Sequence, residues 1–505
     1  MSAGRAAHEP TAPWVQEYPG ATTAVVIGAL PPAWRDRLAG ARAILWCAAE
    51  AEIAAGAPAT PPDRLHVFRR DEATPAQWRE TLLRFVRLDA RRLPAVFVAP
   101  PSEENAAQRC EPFVAVVLDE LREQHRGRVT RQQDGFRWQQ HVLANLAPYV
   151  RRPLPAEWRG ALAGLPAAVC GAGPSLDVSA PRLAAGQEGC VVFAADSALR
   201  TLARHGVRVD FAVSIDVAKR PEKCLPETGE WPGRVVLSAV SPPGWVERLP
   251  AERTWFVANR QITTDWLAQG GVPAPALAAA ENCGVTALEL ARWLGCAPIF
   301  LFGLDLALSG RQRHADAADA SIYAQSGFDA AQECPAVPGN WEERVPTHAP
   351  GDWRALNARL AAFAPGTVFN VSDRGARLDR AAPVRPEAWI APAPVAKRAR
   401  LARLADVPAP EPAAAAARCA ELRACGRRMH AALPELRAAL AAHGPEAAAA
   451  AWRRLLADPA IGRALGGFAL KLMPHLLPPA EGDTDFWNGL LDEFAQLAEQ
   501  LRQLA

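Results

Sequence analysis

Several features that would place this chain in a familiar class are missing from its sequence. The first 20 residues lack the apolar core of a signal peptide, and no uninterrupted apolar run approaches the roughly 20 residues of a membrane span. The formal net charge is only +2 over 505 residues, which argues against a nucleic acid or a membrane surface held by bulk electrostatics. We therefore expect a cytoplasmic protein with no membrane span and no nucleic-acid partner.

Cysteine pairs of the C-x-x-C type are also missing, although the chain has ten cysteines. Several cysteines lie in apolar stretches such as 44–47, where a free thiol behaves as a small hydrophobe. This placement favours buried, reduced cysteines over zinc or disulfide roles. With 50% hydrophobic and 22% charged residues, the chain has the composition of a folded protein, and its 505 residues are enough for two or three domains.

The most informative stretch is 167–177, A-A-V-C-G-A-G-P-S-L-D. Its pattern predicts a buried strand, a sharp glycine turn, and a helix that begins near Pro174, where the missing N–H costs nothing. Backbone amides at such a turn attract an anion, which predicts a phosphate cradle formed by Gly171, Gly173, Pro174 and Ser175. The third glycine of the NAD fingerprint is absent, and no Walker A motif follows. A turn that binds nothing stays the alternative.

Strand and helix patterns alternate along the first 135 residues. Strands are predicted at 23–28, 43–46, 65–68 and 94–98, with a helix that Thr74 caps before the last of them. This alternation predicts a small parallel sheet. Because the sheet has no phosphate loop, we interpret it as a domain for packing or partner contact.

Further strands after the glycine turn predict a doubly wound sheet with polar residues at its carboxyl edge. Asp196 with Ser197, Asp216, Asn259 and Asp305 lie at predicted strand ends, where open α/β sheets bind ligands. Capping of a loop is the alternative for each acid. A second turn into a helix places Asn282, Gly284 and Thr286 where they can face a sugar or phosphate. Asn370 ends the last predicted strand.

Two histidines are the candidates for a general base. His314 follows the strand-end Asp305 in a polar loop that also contains Arg311 and Arg313, and a histidine with an ordinary pKa of about 6.5 is largely neutral at pH 7. His348 is the second choice. An ordinary loop histidine is the alternative for His314. The irregular segment 316–351 is predicted to be a lid or acceptor loop.

The predicted fold class is α/β, with a central doubly wound Rossmann-like domain, a small N-terminal α/β domain and a helical C-terminal domain. Alanine- and leucine-rich helical patterns at the end of the chain predict the last of these. The predicted divisions are an N-terminal α/β domain (1–135), a connecting helix and linker (136–160), the central domain (161–390), a Pro/Ala-rich linker (391–414) and the helical domain (415–505).

Six motifs occur in an order that resembles the motility accessory factor (Maf) family, whose central domain is shared with the MptE-like 6-hydroxymethylpterin pyrophosphokinases. The lead-in R-W-Q-Q-H-V-L-A-N-L (137–146) is similar to that family's connection into the domain. The resemblance covers about 137–389. The motifs are G-A-G-P-S-L-D (171–177), A-D-S-A-L-R-T-L-A-R-H-G-V (195–207), V-D-F-A-V-S-I-D (209–216), C-G-V-T-A-L-E-L-A-R-W-L-G (283–295), F-G-L-D-L-A (302–307) and F-N-V-S-D-R-G-A-R-L-D (369–379).

This resemblance implies a flagellin-modifying glycosyltransferase. Maf-like proteins move a nonulosonic acid of the sialic, pseudaminic or legionaminic type from a CMP-activated donor to Ser or Thr of flagellin. Their central domain is similar to bacterial sialyltransferases, which carry a G-x-G-P-S-L turn beside the nucleotide, with an asparagine where this chain has Ala172. The implied partners are a CMP-activated sugar and flagellin as acceptor, and the oligomeric state is left open.

The residues predicted to act on this substrate fall into two groups. The catalytic group is His314, Asp305 and His348. The group predicted to bind the nucleotide sugar is Gly171, Gly173, Pro174, Ser175, Asp196, Ser197, Asp216, Asn259, Asn282, Gly284, Thr286 and Asn370. If a divalent cation such as Mg²⁺ or Mn²⁺ takes part, Asp216 or Asp305 is the ligand that we expect.

Two alternative functions stay open. Because the central motifs are shared, the chain is also compatible with an ATP- and Mg²⁺-dependent 6-hydroxymethylpterin pyrophosphokinase, for which Asp196, Asp216 and Asp305 are candidate metal ligands. Pyrophosphokinases of that type are expected to be little more than the central domain, which favours the glycosyltransferase. The other alternative is a non-catalytic flagellin-binding accessory protein with a vestigial site.

Overall fold

A computed structural model describes residues 14–16, 21–29, 34, 38–56, 62–89, 92–99, 106–227, 231–315, 334–404, 413–480 and 482–504. The chain forms two compact units. The first comprises Met1–Gln133 and Leu470–Ala480, and the second comprises Asp134–Ala469 and Glu481–Ala505. None of the described helices is long and apolar enough to cross a membrane.

The first unit contains a five-stranded sheet with the order β1-β5-β2-β3-β4. Strand β1 pairs antiparallel with β5, and the other neighbours are parallel, as the alternating pattern predicts. The antiparallel β1 was not predicted from the sequence. The strands are β1 (Trp14–Gln16), β2 (Thr23–Ile27), β3 (Ala43–Ala48), β4 (Leu65–Arg69) and β5 (Ala95–Val98).

Helix α1 (Glu50–Ala54) follows β3, and helix α2 (Pro75–Val86) follows β4. Thr74 caps α2 as predicted, because its side chain accepts a hydrogen bond from the N–H of Gln77. Apolar side chains of α2 and of the long helix α3 (Ala106–Ala144) form a buried cluster with the sheet. This packing explains why the helical periodicity after Thr74 was readable from the sequence.

The second unit is built on an eight-stranded sheet with the order β10-β9-β8-β7-β6-β11-β14-β15. Every neighbouring pair is parallel. This confirms the predicted doubly wound sheet. Its strands are β6 (Ala167–Cys170), β7 (Val191–Ala195), β8 (Phe211–Ser214), β9 (Arg234–Leu237), β10 (Thr254–Phe256), β11 (Ile299–Phe302), β14 (Val368–Val371) and β15 (Ala382–Val384).

Short helices connect these strands, and a two-stranded antiparallel hairpin lies between β11 and β14 in the chain. The hairpin consists of β12 (Ala336–Pro338) and β13 (Arg344–Pro346). Part of the segment predicted to be a lid, 316–333, lies outside the described residues. The helices are α4 (Leu146–Arg151), α5 (Leu176–Gly186), α6 (Leu199–Arg204), α7 (Pro221–Cys224), α8 (Gly244–Arg248), α9 (Ile262–Gln269), α10 (Cys283–Trp293) and α11 (Pro350–Leu360).

The end of the chain is helical, as predicted. Its helices are α12 (Lys397–Ala402), α13 (Ala413–Leu456), which is interrupted at Gly444, α14 (Pro459–Leu465), α15 (Gly467–Leu476) and α16 (Thr484–Arg502). Most of this region falls in the same compact unit as the eight-stranded sheet, whereas the sequence analysis treats it as a separate domain. The predicted domain boundaries stay predictions.

The segment predicted to be a linker contributes to the core of the second unit, with Leu401 and Leu404 in its hydrophobic cluster and Lys397 buried beside them in sequence. Lys397 is 4% exposed, and its Nζ donates to the carbonyls of Gln187 and Cys190 and to the carboxylate of Asp210. A buried ammonium needs such partners because its charge is removed from water. This residue therefore fixes α12 against the start of β7.

Candidate functional site

The centre of the sheet provides the site where a ligand of a doubly wound fold is expected. Strands β6 and β11 are neighbours, with Cys170 paired to Phe302. The chain leaves β6 towards β7 on one side, and the later strands β14 and β15 extend the sheet on the other side. This reversal defines a topological switch point, at whose carboxyl edge such folds bind ligands. The glycine turn (171–175) and the Asp305 loop (303–305) both lie there.

The two loops are held together by backbone contacts that leave no room for side chains. The N–H of Gly171 donates to Phe302, and the N–H of Gly173 donates to Gly303 over 2.7 Å. A Cβ atom at Gly171 would lie 2.6 Å from the carbonyl oxygen of Gly303, and one at Gly173 would lie 2.6 Å from Oδ2 of Asp305. The glycines of the turn are therefore required for contact between two protein loops.

Ser175 joins the glycine turn to Asp305 directly. Its backbone N–H donates to Oδ2 of Asp305 over 2.7 Å, and its hydroxyl donates to Oδ1 over 2.5 Å. The carboxylate thus lies at the beginning of α5, where the helix dipole and the terminal N–H groups favour an anion. Binding of a phosphate to the donors of Ser175, as the sequence predicts, requires this pair of hydrogen bonds to open.

Asp305 is almost completely buried, at 2% exposure. Burial raises the pKa of Asp305 from 3.8 to about 6, and the hydrogen bonds from Ser175 oppose that increase. The hydroxyl of Ser372, at the end of β14, lies 3.4 Å from Oδ1. Asp305 consequently links three strand ends, those of β6, β11 and β14.

Asp196 forms a second centre of hydrogen bonds, at the end of β7. Its carboxylate accepts from the hydroxyl of Ser214 (2.7 Å), from the N–H (2.6 Å) and hydroxyl of Ser197, and from the thiol of Cys283 (3.4 Å). Burial raises the pKa of Asp196, whereas the bond from Ser214 lowers it. Because Asp196 is 1% exposed, its side chain joins β7, β8 and α10.

The turn predicted at 281–286 starts α10, and its polar side chains bond to that turn. Oδ1 of Asn282 accepts from the N–H of Val285, and the hydroxyl of Thr286 donates to the carbonyl of Asn282 while it accepts from the N–H of Ala280. A Cβ at Gly284 would lie 2.6 Å from the side chain of Leu304. All three residues predicted to bind the ligand therefore stabilise the start of α10. Their binding of a ligand stays a prediction.

Two of the predicted asparagines retain unused hydrogen-bonding capacity. The side-chain oxygen and nitrogen of Asn259, after β10, are buried without a hydrogen-bond partner in the described part of the chain. The same holds for Oδ1 of Asn370 in β14. A buried polar atom left unpaired costs free energy, and a hydrogen bond from a polar ligand would remove that cost at both side chains.

The structure separates the two acids that were predicted to hold a metal. Asp216 is exposed beyond β8, with its carboxylate capping the N–H of Ala218, whereas Asp305 lies beyond β11, three strand positions away. Within the described ranges, no group of three or more His, Cys, Asp and Glu side chains is placed to hold a metal ion. Use of a metal by either acid stays a prediction.

His314 and His348 lie close in sequence to contacts with the switch-point loops. The N–H of Ala315 donates to the carbonyl of Ala172 in the glycine turn over 2.8 Å. His314 immediately precedes Ala315 in the sequence. The hydroxyl of Thr347 donates to Leu306, the residue after Asp305, and His348 follows. Both histidines are half-buried.

A basic cavity that the sequence analysis did not predict lies beside the ends of β8 and β9. Its volume is about 760 Å³, within the usual range for ligand sites. Charged and polar walls come from Arg137, Gln140 and His141 of α3 and from the segment around α7. The remaining lining residues are Val217, Ala218, Arg220, Pro221, Glu222, Lys223, Pro242, Pro243 and Gly244.

His141 has a fixed orientation in this cavity. Its Nδ1 lies 2.9 Å from the carbonyl oxygen of Val240, and because a carbonyl only accepts, Nδ1 carries the proton. Burial lowers the pKa of His141, and Arg137 and Arg220 lower it further. The ring is therefore neutral at pH 7, with Nε2 as a hydrogen-bond acceptor. His141 lies in the lead-in motif (137–146), but the sequence analysis predicts only a connecting segment there and no role for the histidine.

The strand order defines a doubly wound, Rossmann-like domain, a class of fold that binds its ligands at the switch point. Residues 140–311 match the family model described as 6-hydroxymethylpterin diphosphokinase MptE-like. The whole chain is also similar in fold to the Maf glycosyltransferase from Magnetospirillum magneticum AMB-1, with a TM-score of 0.52 and 16% identity over 97% of this chain and 80% of that chain. No curated protein sequence gives a significant match.

These findings confirm the resemblance that the six motifs indicate. Residues 140–311 match the MptE-like family model, and the chain as a whole is similar in fold to a Maf glycosyltransferase. The family match begins within α3, beside His141.

Proposed function

We propose that this protein is a glycosyltransferase that moves a nonulosonic acid from a CMP-activated donor to Ser or Thr hydroxyls of flagellin. The observation that carries the proposal is the similarity in fold to a Maf glycosyltransferase over 97% of the chain. Most of that length lies outside the MptE-like match at 140–311. Because the similarity in fold extends over the whole chain, it favours the glycosyltransferase activity of Maf proteins over the pyrophosphokinase activity associated with the central domain.

The transfer requires three things of the site. A base takes the proton of the acceptor hydroxyl as that oxygen bonds to the anomeric carbon of the sugar. The bond from this carbon to the phosphate oxygen breaks, and the electron pair leaves with CMP. Positive charge and N–H dipoles near the phosphate favour that departure.

The residues assigned to these tasks follow from their positions at the edge of the sheet. His314, one residue from a contact with the glycine turn, is the proposed base, with His348 as second choice. The glycine turn is proposed to lie beside the nucleotide, and Arg311 and Arg313 are proposed to add positive charge. Asp305 holds the turn in place through Ser175.

A second activity is favoured by the description of the family model. An MptE-like domain of the pyrophosphokinase type would transfer diphosphate from ATP to a hydroxymethylpterin, with Mg²⁺ as the expected metal. Asp196, Asp216 and Asp305 are the candidate ligands. Flagellin binding without catalysis is the third possibility, and it predicts that no nucleotide binds.

Calorimetric titration with CMP and with ATP, each with and without Mg²⁺, separates these functions. The variant Ala172→Glu adds a negative charge to the half-buried centre of the glycine turn, and Ala172→Gln is its neutral control of equal size. We expect CMP to bind the wild type and Ala172→Gln, and Ala172→Glu to bind at least about tenfold more weakly because its charge repels the phosphate. Binding of ATP with Mg²⁺ but not of CMP would support the pyrophosphokinase. No binding of either nucleotide would support the accessory protein.

A further inference from the structure

The basic cavity differs from the switch-point loops because two of its cations have no partner within the described part of the protein, although a third, Arg137, pairs with Asp134 over 3.3 Å. Arg220 and Lys223 are exposed, and neither forms an ion pair among the described residues. The carboxylate of Glu222 pairs with Arg248, which lies outside the cavity lining, over 2.9 Å. The cavity therefore has a positive surface suited to an anion.

The wall of the cavity is built from elements that are fixed relative to one another. Asn145, one helical turn after His141, donates to the carbonyls of Ala239 (3.0 Å) and Ser241 (2.7 Å). Together with the bond between His141 and Val240, these contacts hold the end of α3 against the segment after β9. The imidazole consequently faces a preformed site.

The position of the cavity along the sheet distinguishes between the parts of a nucleotide sugar. Strand β8 is two positions and β9 three positions from β6, which corresponds to roughly 10 and 14 Å at the usual strand spacing. A nucleotide at the glycine turn would extend its sugar along this edge. The carboxylate is the charged group of a nonulosonic acid, and its hydroxyls require hydrogen-bond acceptors.

We propose that the basic cavity binds the acidic sugar of the donor, with Arg220 and Lys223 at the carboxylate and Nε2 of His141 accepting a hydrogen bond from a sugar hydroxyl. Gln140, whose Nε2 donates to Gln496 over 3.4 Å, offers its side-chain oxygen to a further hydroxyl, and the faces of Pro242 and Pro243 contact the apolar side of the ring. This assignment rests on the proposed function for the identity of the ligand, but the cavity and its charges do not depend on it.

The test compares CMP with CMP-N-acetylneuraminate by calorimetry on the full-length protein. Arg220→Gln combined with Lys223→Gln removes the two charges, and Arg220→Lys combined with Lys223→Arg keeps them. The matched control is Arg182→Gln combined with Arg398→Gln, which removes two exposed charges that form no ion pair among the described residues and do not line the cavity.

We expect the charge-removing pair to lower the affinity for CMP-N-acetylneuraminate about tenfold or more while the affinity for CMP changes by less than about twofold. The charge-keeping pair and the matched control should retain the wild-type affinities for both ligands. An equal loss for both ligands would assign the cavity to the phosphate and overturn the proposal. Unchanged affinity for the CMP sugar would overturn it as well.

Free N-acetylneuraminate separates failure of this proposal from failure of the proposed function. If the wild type binds neither CMP nor the CMP sugar, the proposed glycosyltransferase activity is wrong, and ligand-observed NMR with the free sugar decides about the cavity. A signal that disappears in the charge-removing pair and persists in the matched control supports the cavity assignment. A signal that is absent from the wild type, or equal in the wild type and the charge-removing pair, overturns it.

Discussion

The switch-point loops and the basic cavity lie on the same edge of one sheet, yet their polar groups are used differently. In the switch-point loops, Ser175 and Asp305 bond to each other, and two glycines allow the loops to touch. In the basic cavity, the side chains of Arg220 and Lys223 and Nε2 of His141 have no hydrogen-bond or ionic partner among the described residues. Ser175, Asp305 and the two glycines thus form a scaffold, whereas the cavity keeps two charged side chains and one imidazole nitrogen available for a ligand.

This difference explains why a recognisable motif and a ligand contact need not coincide. A glycine that permits two loops to approach is as strictly required as one that admits a phosphate. Charged side chains without a protein partner break no protein contact when a ligand arrives, and they gain its countercharge in exchange for water. The comparison therefore predicts stability effects at the glycine turn and binding effects in the cavity.

The largest effect is expected for Gly173→Ala. Its new Cβ would lie within 2.7 Å of both Oδ2 of Asp305 and the carbonyl oxygen of Gly303, so we expect the free energy of unfolding to fall by about 2 to 3 kcal/mol. Gly489→Ala in α16 is the control, since a Cβ there meets nothing within 4 Å. Chemical denaturation measures both variants. Equal stability of Gly173→Ala and wild type would contradict a scaffold role for the turn.

The second-largest effect is expected for the substitution of His141, which should weaken binding of the CMP sugar. His141→Asn keeps a donor near the position of Nδ1, which can still reach Val240, but removes the acceptor at Nε2. We expect the affinity for CMP-N-acetylneuraminate to fall about tenfold, equivalent to about 1.4 kcal/mol, with little change for CMP. Calorimetry of the two ligands checks this. A parallel loss for both ligands would mean that His141 acts on the nucleotide or on the fold.

A smaller effect is expected in the pH dependence of stability at Asp305. Because its pKa is raised to about 6 in the folded protein, the contribution of its protonated form is present at low pH and lost as the pH rises through 6. Relative to Asp305→Asn, the wild type should therefore lose about 1 kcal/mol between about pH 5 and about pH 7.5. Denaturation of both proteins at these two pH values measures the difference. A constant difference would show that Asp305 is not desolvated by the scaffold.

The smallest effect on stability is expected for the unpaired cations of the basic cavity. Arg220→Gln combined with Lys223→Gln should change the free energy of unfolding by less than about 0.5 kcal/mol, because neither side chain stabilises the fold. The same denaturation experiment as for Gly173→Ala applies. A loss above about 1 kcal/mol would place these residues with the scaffold and remove the contrast between the two regions.

Many helices and strands could be predicted from the sequence because local residue patterns specify where they begin and end. Thr74 and Pro75 identify the start of α2, and the apolar run before Gly171 identifies β6. The strand-end position of Asp305 was also predicted correctly. These signals extend over a few residues, so they survive without knowledge of the tertiary fold.

The contacts that give the site its character could not be predicted in the same way. Ser175 and Asp305 are 130 positions apart in sequence, and His141 and Val240 are 99 apart. The strand order brings the first pair together, the packing of α3 beside β9 brings the second together, and no local pattern encodes either. The same reason explains why Lys397 was assigned to a linker although its ammonium is buried beside Asp210.

The most direct test of the proposed function is a transfer assay read by mass spectrometry. Purified protein, a flagellin monomer and CMP-activated sialic, pseudaminic or legionaminic acid would be incubated together, with His314→Gln and heat-inactivated protein as controls. The proposal predicts a mass increase of one sugar residue on a flagellin Ser or Thr with at least one donor, release of CMP, and loss of both in His314→Gln. Absence of transfer from all three donors, together with diphosphate transfer from ATP to a hydroxymethylpterin, would contradict it.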